Sequence, residues 1–185
     1  MKKLYSKIAG GAVVALSALC VVSAAAAGNV TATANVTGAG ALGLTLPSGP
    51  TLSSTLDGSD QTVVYTLPLS ISDARGSGAG WNATVTSTSF TSGSNVLATT
   101  ASSVTSVSQA CVAGGTCTNA TNAIGYPLTV PAAATAPAAV KLFSAALNTG
   151  MGRFTITPSI SVLIPGNAFA GAYTSTVTVA VATGP

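Results

Sequence analysis

The chain has 185 residues and very little charge: six Lys and Arg, three Asp and Glu, no His, and a formal net charge of +3. Without histidine, a Ser-His-Asp or Cys-His catalytic arrangement is excluded, and zinc has no ligand set. Lys2, Lys3 and Lys7 supply three of the six cations, so Arg75, Lys141 and Arg153 face Asp57, Asp60 and Asp73 in a remainder that is neutral. Such a surface offers no electrostatic footprint for phosphate backbones, so nucleic acid is not an expected partner.

Those three lysines flank an uncharged apolar run, Ile8 to Val22, followed by Ser23-Ala24-Ala25-Ala26-Ala27. A positive start, a short apolar stretch and an A-x-A site form a secretory signal peptide over residues 1–27. The run falls short of the roughly 20 residues that a membrane-spanning helix needs. Residues 28–185 are then expected as one exported, β-rich domain with no transmembrane segment after cleavage.

From Val30 onward, apolar and polar residues alternate. Val30, Ala32, Ala34 and Val36 interleave with Thr31, Thr33, Asn35 and Thr37, a period of two that predicts a strand. This strand either pairs within its own sheet or adds to the sheet edge of a neighbour. Leu42, Leu44 and Leu46 repeat the pattern before the Pro47-Ser48-Gly49-Pro50 turn. Val63, Tyr65, Leu67, Leu69 and Ile71 line one face of a long strand, with Pro68 on the opposite phase marking an edge or a bulge.

Further strands are predicted at Trp81, Ala83 and Val85, at Phe154 to Ile164 with an interruption at Pro158, and at Tyr173 to Val181. Residues 91–122 are rich in Ser, Thr and Gly and predict long loops around short strands. The Ala-rich stretch after Ala132 predicts one short helix near 135–148, opened by Thr135 and Pro137. Six or more strands with turns between them give an all-β fold, a single antiparallel β-sandwich or barrel-like domain.

Cys111 and Cys117 are separated by Val-Ala-Gly-Gly-Thr. In an oxidising compartment two cysteines this close form a local disulfide, and no further Cys or His supports a metal site. The closed loop is worth about 2 to 2.5 kcal/mol on the chain-entropy model. Asp57, Asp60 and Asp73 do not have the spacing of a calcium-binding loop, and Asp57 and Asp60 read as turn residues. No cofactor, no metal and no catalysis are expected.

Asp73-Ala74-Arg75-Gly76-Ser77-Gly78-Ala79-Gly80-Trp81 places an acid, a base and three glycines before the only tryptophan. In one reading Asp73 and Arg75 pair across a turn and Trp81 plugs the core. In the other, Asp73, Arg75 and Trp81 form a binding site with the indole as an exposed platform.

This segment resembles the WxL-domain family of bacterial cell-surface proteins. So do Tyr126-Pro127-Leu128-Thr129-Val130-Pro131, Gly150-Met151-Gly152-Arg153-Phe154, and Ile164 to Thr176 with its Pro165-Gly166-Asn167-Ala168-Phe169 start. Both Trp-x-Leu motifs that name the family are degenerate, as Trp81-Asn82-Ala83 and Val179-Ala180-Val181. The resemblance implies a β-rich domain at the cell surface, held non-covalently at the Gram-positive wall through peptidoglycan or surface partner proteins. The alternative expectation is a structural subunit that self-associates into a filament or surface layer through its N-terminal strand.

Overall fold

Alternation becomes strand in this protein wherever a partner edge is available to it. A computed structural model describes residues 31–185; the signal peptide expected over residues 1–27 lies outside the described residues. Val36–Pro185 is one compact unit. Its strands are β1 (Gly43–Thr45), β2 (Gln61–Thr66), β3 (Leu69–Asp73), β4 (Trp81–Thr88), β5 (Thr91–Ser92), β6 (Asn95–Val96), β7 (Ser102–Cys111), β8 (Leu128–Thr129), β9 (Ala132–Ala133), β10 (Val140–Ala145), β11 (Gly152–Ile164) and β12 (Val177–Thr183).

The strands form two main sheets and a small hairpin of β5 and β6. One sheet runs β1–β3–β11–β7–β8, and β2 also pairs with β11. The second runs β10–β4–β12, with β9 joining β4 in parallel. The sheets do not close into a barrel, so the fold is an all-β sandwich.

The strand expected through residues 63–71 is broken at Leu67 and Pro68. β3 pairs with Gly152 to Ile156 of β11, and β2 pairs with Ser159 to Ile164, while β7 covers the other side of β11 from Phe154 to Val162. Consequently β2 and β3 lie end to end along the same side. Pro158 falls opposite their break. Its carbonyl accepts from the Leu67 amide at 3.0 Å, so its missing amide hydrogen also points into the gap, where no ladder bond is lost. Hence β11 runs unbroken through Pro158, and the expected interruption does not occur.

Even-numbered residues of β11 face the core: Phe154, Ile156, Ile160 and Val162 are all buried. Ile156, Ile160 and Val162 share one core with Trp81, Ala83, Val85, Leu142, Phe143, Ala145 and Val179 from the second sheet, with Leu69 and Ile71 beside them. The rings of Trp81 and Phe143 stack with centroids 5.5 Å apart.

Three other expectations are corrected. The helix near 135–148 is not formed; no residue described there is helical, and Val140–Ala145 pairs antiparallel with β4. Leu142, Phe143, Ser144 and Ala145 are buried in succession, and burial against β4 outweighs the helix preference of alanine. The loop expected through 91–122 contains the ten-residue strand β7. Its register slips between Ser159 and Ile160 of β11, so a bulge at Thr105 puts Val104 and Val107 out of period and hides the strand. Finally, Thr31 to Thr37 carry no strand and are exposed.

Core truncation separates the two faces of this sandwich. Ile156→Ala should cost about 2 to 5 kcal/mol in denaturant unfolding, whereas Leu147→Ala, at a position 63% exposed, should stay within about 0.5 kcal/mol. Equal effects would contradict the assigned layers.

Candidate functional site

The loop between β3 and β4 brings the three residues singled out from the sequence together. Asp73 ends β3 and Trp81 begins β4, and Gly76, Gly78 and Gly80 between them all adopt positive φ, at 67°, 63° and 67°. Side chains rarely tolerate that backbone region, so the glycine spacing is a turn requirement. A Cβ on Gly78 would also lie 2.6 Å from the Asn148 side-chain oxygen.

Arg75 is the tie of this loop. Its Nε donates to Asp73 Oδ1 and its Nη2 to Asp73 Oδ2, each at 2.8 Å, a bidentate pair. Nη2 also donates to the Gly80 carbonyl at 2.8 Å, and Nη1 to Thr183 Oγ1 at 2.6 Å. One guanidinium therefore joins the end of β3, the loop and the last residue of β12, across both sheets. The pair is largely withdrawn from water, with side chains 12% and 1% exposed for Arg75 and Asp73. Hydrogen bonds from Arg75 hold the Asp73 carboxyl below its ordinary value of 3.8.

Trp81 has none of its surface exposed. Its Nε1 donates to the Gly150 carbonyl at 2.8 Å, and a Cβ on Gly150 would lie 2.7 Å from that same nitrogen. The indole fills the core and pins the turn before β11. The two degenerate motif stretches meet here: β12 lies antiparallel to β4 with Val181 opposite Ala83 and Val179 opposite Val85.

Cys111 and Cys117 are bonded, with Cα atoms 5.9 Å apart. Asp57 accepts from the Ser59 amide at 2.9 Å, and Asp60 accepts from the Gly166 amide at 2.9 Å, which makes both of them turn-holding residues. Among the described residues, no group of three or more His, Cys, Asp or Glu is placed to hold a metal ion.

Sequence reasoning missed an exposed groove of mixed polar and apolar lining at one end of the sandwich. It lies between the β5–β6 hairpin and the loop from Pro165 to Tyr173, with a volume of about 430 Å³, within the ~300–1,000 Å³ usual for ligand sites. Val96 and Phe169 stand 58% and 68% exposed at its rim, beside the amides of Asn95 and Asn167. Tyr173 Oη donates to the Phe169 carbonyl at 3.0 Å and steadies that backbone. A smaller cleft of about 230 Å³, lined by Tyr65, Phe90, Val177 and Pro47, opens on the seam between β2 and β12. The usable sequence signal was Phe169, a large apolar residue amid Pro, Gly and Asn.

The Arg75–Asp73 pair gives a pH prediction. The Asp73 carboxyl is depressed in the folded state, so its stabilisation is complete above 3.8 and is lost as pH falls through the lower folded value. Asp73→Asn should flatten that acid limb of the unfolding curve while lowering stability at neutral pH. An unchanged acid limb would show that the pair contributes nothing.

Comparison with known proteins comes down to one match. The WxL domain, described as surface cell wall-binding, matches residues 24–185. No curated protein and no solved structure matches the chain. With nearly the whole length covered by that match, the chain belongs to the WxL domain family.

Proposed function

We propose that this protein is a secreted, non-catalytic module that attaches without a covalent bond to the cell wall, through peptidoglycan or proteins displayed on it. The observation that carries this reading is the match to a surface cell wall-binding family over residues 24–185. The absence of histidine and glutamate from the whole sequence supports a binding role over a catalytic one.

The groove between the hairpin and the Pro165–Tyr173 loop is the binding surface in this reading. Trp81, Ala83 and Val179 are spent on the core, so their strands cannot supply an exposed platform. The groove instead offers an exposed ring, Phe169, with neutral amide donors and acceptors at Asn95 and Asn167. An exposed aromatic ring flanked by amides suits uncharged sugar rings and peptide backbone alike. Asp73 and Arg75 support the domain from inside and leave ligand contact to the groove.

Co-sedimentation with purified Gram-positive peptidoglycan tests this. The exported protein should be retained saturably, and Phe169→Ala should weaken retention roughly tenfold, the loss of about 1.4 kcal/mol. Unfolding of the variant should shift by no more than about 0.5 kcal/mol, as for other exposed positions. Retention no greater than that of an unrelated neutral protein would sink the proposal.

A further inference from the structure

Three strand edges in the sandwich are managed, and two are open. β1 is only three residues long. β7 is flanked by β8, and its Gln109 side chain bonds both the amide and the carbonyl of Ala120, at 3.0 and 2.8 Å. On β10, Asn122 Oδ1 accepts from the Ser144 amide at 2.9 Å and Tyr126 Oη donates to the Leu142 carbonyl at 2.7 Å. β12 pairs only with β4 and is open on its other side, but its exposed residues, Thr178, Ala180, Ala182 and Thr183, are small or polar and offer no large apolar strip.

The other open edge is β2, Gln61-Thr-Val-Val-Tyr-Thr66, which pairs only with β11. It holds no charge and no proline, the usual guards of an open edge. Its outer face carries Val64, 57% exposed, diagonal to Leu163, 47% exposed, on β11.

A segment with strand-like alternation and no partner among the described residues is also present. Thr31-Ala-Thr-Ala-Asn-Val-Thr37 keeps strict alternation, is uncharged, and is exposed with no strand assigned; Val36 is 95% exposed. Reach decides whether this segment can serve its own β2. The Ala39 amide donates to the Ala74 carbonyl at 2.8 Å, which fixes the chain beside Asp73, the partner of Gly152 at the start of β11. β2 pairs with residues 159–164 of β11, roughly 23–40 Å farther along at ~3.3 Å per residue. Seven residues span at most about 25 Å, so the segment reaches only the near end of its own β2 and cannot pair along it.

We propose that residues 31–37 of one copy add as a strand to the free β2 edge of a second copy, so that the protein assembles head to tail. The seven-residue segment fits the six-residue edge, and neither side brings a charge out of water. With Ala32, Ala34 and Val36 on the outer face, the added strand covers the Val64–Leu163 strip. Donor and acceptor are different surfaces, so repetition gives a ring or an open filament. This assembly does not depend on wall binding.

The test is light scattering of the exported protein without cell wall, over a range of concentrations. Ala34→Pro removes a donor amide from a segment that has no strand to lose, and Val64→Lys places a charge on the acceptor edge. The wild type should form concentration-dependent oligomers, and each variant should be a monomer with an unchanged unfolding transition. Mixed together, the variants should give a complex of two chains and nothing larger, because only one donor and one acceptor survive. A wild type that stays monomeric, association that survives either substitution, or a mixture without the two-chain complex would each overturn the proposal.

Discussion

The contact on which this sandwich depends is the grip of Arg75 on Asp73, Gly80 and Thr183. In a domain built almost entirely from neutral side chains, it is the single ion pair among the described residues, and it crosses from one sheet to the other. The three left-handed glycines give the loop its path, and Arg75 holds that path where Trp81 can enter the core. The Trp81 Nε1 bond to Gly150 then sets the turn into β11, on which β2, β3 and β7 all assemble. A bidentate, water-poor ion pair is worth more than a surface pair because solvent screens it less, and removing one partner strands the other.

The alternation of β4 and β12 and the even-numbered face of β11 were legible because each strand has one buried side. Pro68 was legible as a break, and its meaning became clear only beside Pro158, since pairing between distant segments decides which amides go unused. β7 stayed hidden because a bulge destroys the period of two on which such reading relies. The stretch from Val140 to Ala145 was misread because its alanines favour helix locally, while its neighbour β4 offers an open ladder. Asp73, Arg75 and Trp81 lie in and beside one loop between β3 and β4, but periodicity cannot say whether a tryptophan opening a strand turns inward. Phe169 was the one signal of the groove in the sequence, and the groove itself could not be read there because it joins residues some 70 positions apart, such as Asn95 and Asn167.

The division of labour that results is simple. The residues that give the family its sequence pattern maintain the fold, and their degeneration to Trp81-Asn-Ala83 and Val179-Ala-Val181 exchanges one apolar filling for another within paired strands. In the proposed reading, binding falls to the loops at one end, as is usual where a rigid scaffold carries variable connections. In the proposed assembly, the open β2 edge and the segment of residues 31–37 add a second mode of contact, by backbone hydrogen bonds.

The single tryptophan makes the central claim directly measurable, because all indole emission from the protein reports on Trp81. Acrylamide quenching of that emission should be weak, with a blue-shifted maximum, and should stay the same when saturating peptidoglycan fragments are added. A red-shifted, readily quenched indole that becomes protected on adding the fragments would place Trp81 at the ligand and contradict the account.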